Sequence, residues 1–334
     1  MTTAHLHTKI HPLVYVIVLN YNGRAHLDYC LPSIMASTYP NFRVLFVDNA
    51  STDDSLEFLA KNFPRIELLQ TGKNLGWAGG NNLGISYALE KGASYVVLAN
   101  NDIRVHPQWI TAAVVAFEAD PVVAFVTGTV FGNIIPAPIE DYENACAEWD
   151  EIKFWRTDDF ISGMALFVDA QLFGRIGMID EAYWAYAEET DLEVRAKAAG
   201  YARALTNVPI WHYSSGTFAK YRLRSAYLAI RNSMRLTIKH DTLRKQIKTV
   251  LKVFYISCWP FFSGDMRNVT IARLRPSGIV ANFGLVLFCL VWNVLHLPAT
   301  LRRSRDDYAL IRRELERKAA EKERLTQSES LYTQ

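Results

Sequence analysis

Polar residues interrupt the first hundred residues of the chain at regular intervals. Residues 13–19 form a continuous apolar run that ends in Asn20-Tyr21-Asn22-Gly23, and residues 42–47 form a second that ends in Asp48-Asn49. Residues 66–70 form a third. Residues 95–99 form a fourth, which ends abruptly in Asn100-Asn101-Asp102. Apolar runs of this length, bounded by Gly92 and Pro107 in the last case, mark strands buried on both faces of a parallel sheet. The intervening spacing predicts helices over residues 26–36, 54–62 and 81–90, the second capped by Ser51 or Thr52. This β-α-β-α-β-α-β order implies right-handed crossovers and an α/β, Rossmann-like, mostly parallel sheet flanked by helices.

The pattern then loosens. Residues 125–131 and 162–168 read as strands, and 134–148 as an acidic loop or flap. Residues 188–199 read as a helix stopped by Gly200 just past its end. Beyond residue 221, basic helix-forming segments surround apolar stretches at 250–262 and 279–297. The resulting division is a flexible start (1–12), an α/β domain (13–220), a helical membrane-associating region (221–300) and a charged helical tail (301–334). In the tail, Glu and Arg are spaced for i,i+4 pairing, as in a solvated helix. The 279–297 stretch is barely long enough to span a bilayer, and it carries Asn282, Asn293 and His296. Arginines on both sides (Arg273 and Arg275; Arg302, Arg303 and Arg305) leave it without a preferred orientation. The pattern predicts a helix in or dipping into the cytoplasmic face of a membrane, with 250–262 beside it. A true span, or burial against a second subunit in a homo-oligomer, are the alternatives.

Composition narrows the function classes. With 334 residues, 50% of them hydrophobic, and a net charge of +2, the chain can bury a large core and offers no global charge for nucleic acid. The charge is segregated: acids gather at 140–159 and 181–193, while Lys and Arg dominate 220–305. The four cysteines are scattered without ligand spacing, as expected for reduced thiols in a cytoplasmic protein. The start, MTTAHLHTKIHPL, lacks a secretory pattern, and His5, His7 and His11 within it are assigned no metal role.

In open α/β sheets, ligands bind outside the carboxyl ends of the strands. Asn20-Tyr21-Asn22, Asp48-Asn49, the 72–80 glycine loop and Asn100-Asn101-Asp102 would converge on that edge. The loop fits neither GxGxxG nor a P-loop, and singly it reads as a tight turn with close helix packing. The second informative segment is 186–195. Its acids occupy a helix's first turn, where the macrodipole favours their charge, and Asp191 is placed to pair with Arg195. An aromatic lead-in, Tyr183-Trp184-Ala185-Tyr186, suggests that these acids emerge at a lined pocket, where one could act as a general base.

Seven segments stand in a recognisable order: VIVLNYNG (16–23), FVDNASTDDS (46–55), GKNLGWAGGNN (72–82), LANNDI (98–103), ISGMALFVD (161–169), AEETDLEVRAKAAGY (187–201) and WHYSSGTF (211–218). Over residues 13–235 this set resembles the family 2 inverting glycosyltransferases of the GT-A fold, especially their rhamnosyltransferase-like branch. The resemblance implies that Asp48 binds the nucleobase of a dTDP- or UDP-linked sugar. Asn20, Tyr21, Asn49, Asn74, Asn100 and Asn101 would complete the donor site. Asp102 stands at the family's Asp-x-Asp position and would hold a divalent metal, Mg2+ or Mn2+, with His212 as a further ligand. Glu189 stands where the family has its catalytic base, with Glu188 or Asp191 as substitutes. Asn100 departs from the first acid of Asp-x-Asp, and Glu189 adds a methylene to the usual Asp.

The implied reaction moves a sugar, rhamnose in this branch, onto a glycan or lipid-linked acceptor in cell-envelope synthesis. It would run in the cytoplasm, on a protein peripheral to or anchored at the inner face of the cell membrane. No Gln-x-x-Arg-Trp motif points to a processive synthase. Rivals are a non-catalytic sugar-nucleotide-binding scaffold subunit and a nucleotidyltransferase, though the latter's Gly-rich, Arg-containing loop is missing.

Overall fold

The computed structural model describes residues 11–132, 137–213, 222–258 and 279–332; His5 and His7 lie outside them. Four parallel strands form one half of the sheet: β1 (Val14–Asn20), β2 (Phe42–Asp48), β3 (Glu67–Gln70) and β4 (Tyr95–Asn100). Helices α1 (Arg24–Met35), α2 (Ser55–Asn62) and α3 (Gly76–Glu90) connect them. The other half is mixed. It contains β5 (Ile103–Val105), β6 (Val123–Phe131), β7 (Phe154–Thr157), β8 (Ala165–Asp169) and β9 (Ala202–His212). The nine-stranded order is β3-β2-β1-β4-β8-β6-β9-β5, with β7 pairing β9.

Strand periodicity sorts the core into two layers. Val14, Val16 and Val18 join Leu27, Leu31, Trp109 and Phe167 on one face. Tyr15 and Ile17 join Ile85, Leu172 and Leu192 on the other. Helix α4 (Trp109–Ala119) covers the first face, while α3, α6 (Ala170–Ile176) and α7 (Glu188–Ala198) cover the second. Gly200 takes φ 77° just past the end of α7, as its sequence position predicts.

Several expectations need correction. Helix α3 begins at Gly76 rather than near residue 81, so the second half of the glycine loop is its first turn. Residues 139–148 of the expected flap form helix α5 (Ile139–Glu148). Neither Ser51 nor Thr52 caps α2, because the Ser51 hydroxyl accepts from Asn20 Nδ2 and the Asn22 amide, both at 3.0 Å. Asp53 serves the helix start instead, accepting from the Ser55 amide at 3.1 Å.

The C-terminal third is helical: α8 (Arg222–His240), α9 (Leu243–Cys258), α10 (Ile279–Leu295) and α11 (Leu297–Tyr332). Among the described residues no single helix is long and apolar enough to cross a membrane; Val280–Leu295 and Leu297–Thr326 pass only together, bent by 62°. The first part of the tail helix is docked rather than solvated, since Asp307, Ile311 and Glu314 are buried. Glu314 accepts from the Tyr201 hydroxyl at 2.6 Å, and Lys318 Nζ donates to the carbonyls of Ala199 and Gly200 at the end of α7.

Candidate active site

The parallel register brings the expected strand ends together. Asn20 pairs Asp48 and Leu19 pairs Asn100 across adjacent strands, and Asp48 pairs Gln70. Asp48 is buried, and its Oδ2 accepts from the Ser51 amide at 3.2 Å. Its Oδ1 is buried with no partner among the described residues. A buried, unsatisfied carboxylate oxygen is costly, so this atom is the natural acceptor for a ligand N–H.

Most of the nearby amides build the site rather than face it. Asn20 bridges Ser51 Oγ and Asn101 Nδ2. Asn49 ties the glycine loop down, accepting from the Leu75 amide at 2.9 Å and donating to the Gly76 carbonyl at 3.0 Å and to Asn74 Oδ1 at 3.2 Å. Asn74 Oδ1 accepts also from the Gly76 amide at 2.9 Å. Asn100 Oδ1 accepts from the Trp77 indole at 3.1 Å. The side-chain oxygens of Asn20, Asn49, Asn74 and Asn100 thus each accept a hydrogen bond within the protein, which fixes the strand ends and the glycine loop against one another. Tyr21 is half-buried beside them.

Asp102 and His212 meet because β5 pairs antiparallel with the end of β9: Ile103 is opposite His212, and the Tyr213 amide donates to the Asp102 carbonyl at 3.0 Å. Their side chains approach to 3.2 Å, Nε2 to Oδ1. This is close to the separation of about 3 Å between adjacent oxygen or nitrogen ligands of an octahedral Mg2+-sized ion. His212 Nδ1 is buried and unpartnered among the described residues. The pair fits a divalent cation, but only as part of its shell, since among the described residues no group of three or more His, Cys, Asp or Glu could hold one.

Helix α7 brings the acids. Its lead-in is strained: Trp184, Tyr186 and Ala187 have φ of 66°, 72° and 67°, a region that side chains with a Cβ rarely occupy. Sequence reasoning missed the clamp that holds this segment. Asn232, buried on α8, donates through Nδ2 to the carbonyls of Tyr183, Ala185 and Tyr186 at 2.9, 2.7 and 2.8 Å. Arg231 Nη2 donates to the carbonyls of Ala182 and Tyr183 at 2.9 and 2.7 Å. From the other side, the Ala78 amide donates to the Trp184 carbonyl at 3.1 Å. A Cβ at Gly76, where φ is +74°, would collide with Trp184, so the loop and the lead-in need glycine there.

Glu188 and Glu189 emerge at the end of this segment. A Cβ placed on Gly163 would sit 3.2 Å from the Trp77 ring and 3.4 Å from Glu189 Cγ. Trp77 in turn bonds Asn100, and Met164 O accepts from the Asn100 amide at 2.8 Å. Glu189 and Trp77 therefore both border Gly163, and Trp77 reaches from there to the end of β4. Burial raises the pKa of both carboxyls, and the Glu189 charge raises that of Glu188 further. Glu188 Oε2 is buried and unpartnered among the described residues.

Asp191 is not available as a base. It does pair with Arg195 at 2.9 Å, but both are fully buried, and Tyr183, His240 and Lys239 contact it as well. Burial works to raise its pKa, but Arg195, His240 and Lys239 outweigh that and hold it well below the ordinary 3.8. One helix turn on from Glu189, Glu193 bonds Arg203 at 2.8 Å, and burial pushes its pKa to about 7.

The mixed α/β sheet, with Asp48, the Asp102–His212 pair and the Glu188–Glu189 pair carried near its strand ends, has the architecture of the GT-A fold. Residues 15–171, a little under half of the chain, match Glycosyl transferase family 2, and relatives and solved structures that resemble the chain are glycosyltransferases. It is 27% identical over 221 residues to the N-acetylglucosaminyl-diphospho-decaprenol L-rhamnosyltransferase of Mycobacterium tuberculosis, covering 56% of this chain and 71% of that protein. An uncharacterized glycosyltransferase of Haemophilus influenzae is 33% identical over 110 residues, covering 32% and 33% of the respective chains. Among solved structures, the mannosyltransferase PcManGT from Pyrobaculum calidifontis, in complex with GDP-Man and Mn2+, aligns with a TM-score of 0.54 and 18% identity. That alignment covers 92% of this chain and 88% of PcManGT. TarS 1–349 of S. aureus aligns with a TM-score of 0.52 and 13% identity, covering 91% and 90%. At these identities the structural likeness establishes the fold.

Proposed function

We propose that the chain is an inverting glycosyltransferase that moves rhamnose from dTDP-rhamnose to a hydroxyl of a lipid-linked or polysaccharide acceptor during cell-envelope glycan synthesis. The observation that carries the reading is the Asp102–His212 pair on the strand edge, with Glu189 across the Trp77–Gly163 contact. The choice of rhamnose rests on the Mycobacterium tuberculosis relative, whose acceptor is a decaprenol-linked sugar by its name. The reaction then runs at the inner face of the cell membrane.

Asp48 Oδ1 accepts an N–H from the nucleobase, beside Tyr21. Asp102 and His212 would hold Mg2+ or Mn2+, and a bound divalent ion would offset the charge growing on the departing diphosphate. With Asn100 in place of an acid, and its Oδ1 engaged by Trp77, the chain supplies few metal ligands of its own. Metal affinity should therefore be weak until the donor's diphosphate adds its oxygens. Glu189 accepts the proton of the acceptor hydroxyl as that oxygen bonds to the anomeric carbon. The carbon–oxygen bond to the diphosphate breaks on the opposite face, which inverts the configuration. The buried setting that raises the Glu189 pKa makes it a stronger base once ionised.

Turnover against a panel of nucleotide sugars, with Mg2+, Mn2+ or chelator, tests this reading. The expected result is metal-stimulated transfer that is fastest with dTDP-rhamnose. Binding of a donor without transfer to any acceptor would contradict it and favour a non-catalytic scaffold.

A further inference from the structure

Helix α10 is built inside out. Its buried positions include Asn282, Val286, Cys289 and Asn293, while Val280, Leu287, Val291 and Val294 are exposed. At about 100° per residue these two sets lie on opposite faces. The inward face meets α8 and α9 through Ile230, Met234 and Val253, and Asn293 Nδ2 donates to the carbonyls of Arg231 and Cys289. The outward face is wholly apolar, with Val280 86% and Val294 61% exposed. A water-facing helix shows the reverse arrangement.

Helix α9 repeats the feature beside it. Leu243, Ile247, Leu251 and Tyr255, four apart, are all exposed, Leu251 by 63%. Arg244, Lys248 and Lys252 line one shoulder of that stripe, with Lys245 beside them paired to Asp241, and residues 243–258 contain no acid. Helix α10 has no charged residue at all.

We propose that α9 and α10 together form a docking face for an anionic lipid bilayer. The helices lie in the interface, with the leucine, valine and tyrosine side chains among the acyl chains and the basic shoulder at the headgroups. Length argues against a span: the 17 residues of α10 extend about 26 Å, short of the hydrocarbon core of about 30 Å. Charge argues for lipid over a second copy of the chain. Self-association through this face would bring two acid-free basic shoulders together, whereas anionic headgroups offset them.

Flotation of the full chain with vesicles tests the proposal independently of any transfer activity. Wild type should float with vesicles of phosphatidylcholine and phosphatidylglycerol, and far less with phosphatidylcholine alone or at high salt. Leu287→Glu with Val291→Glu should cut partitioning by tenfold or more, with an unchanged circular-dichroism melt because both sites are exposed. Lys248→Gln and Lys252→Gln should each cost about fivefold on anionic vesicles. Equal binding of wild type to neutral and anionic vesicles would overturn the proposal, as would full binding by the double Glu variant. A dimer that ignores vesicles and falls to monomer in the double Glu variant would overturn it in favour of a second copy.

Discussion

Glu189 and Glu188 are adjacent carboxyls whose desolvation cost is met only in part by backbone amides. Their raised pKa values have a kinetic consequence. In the proposed mechanism the ionised form of Glu189 is the base, so the rate of transfer should climb with pH along an acidic limb lying above the ordinary glutamate value of 4.5, and Glu189→Gln should flatten it. Asp48 calls for a binding test. Asp48→Asn keeps the volume but removes the charged acceptor at the unpartnered Oδ1, so donor affinity measured by calorimetry should fall about tenfold or more, as for a lost charged hydrogen bond. Asp48, Asp102 and Glu189 were legible as strand-end and helix-start acids. The scaffolding amides were not: an Asn after a buried strand looks the same whether it faces a ligand or, like Asn49, holds a neighbouring loop. Only the spatial partner distinguishes them.

The strained lead-in to α7 and the helix that clamps it form one mechanical unit. Asn232 supplies donors to carbonyls that the positive-φ residues turn away from regular pairing. Asn232→Leu is nearly isosteric but removes this donor from the Ala185 and Tyr186 carbonyls, while the Tyr183 carbonyl keeps Arg231, so stability should fall by roughly 1–3 kcal/mol. Because the clamp positions Glu189 rather than the donor, kcat should drop while the donor KM stays near wild type; a parallel rise in KM would argue against a positioning role. Strands β1 to β4 were readable from their runs because parallel, doubly covered strands are continuously apolar. Strand β9 was not, and although the helix-forming character of α8 was legible, its burial was not. Residues 202–212 mix charged and apolar positions, and the basic residues of α8 suggest a solvated surface. Arg231, Arg235 and Lys239 nonetheless fall four apart on one face, and that spacing was the available sign that they point inward.

At the scale of the whole molecule, a buried ion network ties the catalytic domain to the C-terminal helices. Lys239 lies 3.2, 2.7 and 2.6 Å from Asp180, Asp191 and Asp307, which come from the α6–α7 connection, α7 and α11. Lys239→Met leaves three buried carboxylates short of a cation and should destabilise the chain by about 3–5 kcal/mol in thermal or denaturant melts. Asp180 and Asp191 both have pKa values below the ordinary 3.8, against the raising effect of burial. Their contribution to stability is therefore full above pH 3.8 and is lost as pH falls through the folded values; acid titration of the melt should show that loss, and Lys239→Met should shrink it. This docking of the tail was hidden in the sequence because its charges read as i,i+4 surface pairs, when Asp307 and Glu314 are buried. The most direct test of the central claim is the rate of sugar transfer by Glu189→Gln at saturating donor, measured beside its donor Kd. The account predicts a loss of 10²–10⁴-fold, the usual worth of a general base, with Kd within about threefold of wild type. Transfer at the wild-type rate would contradict it.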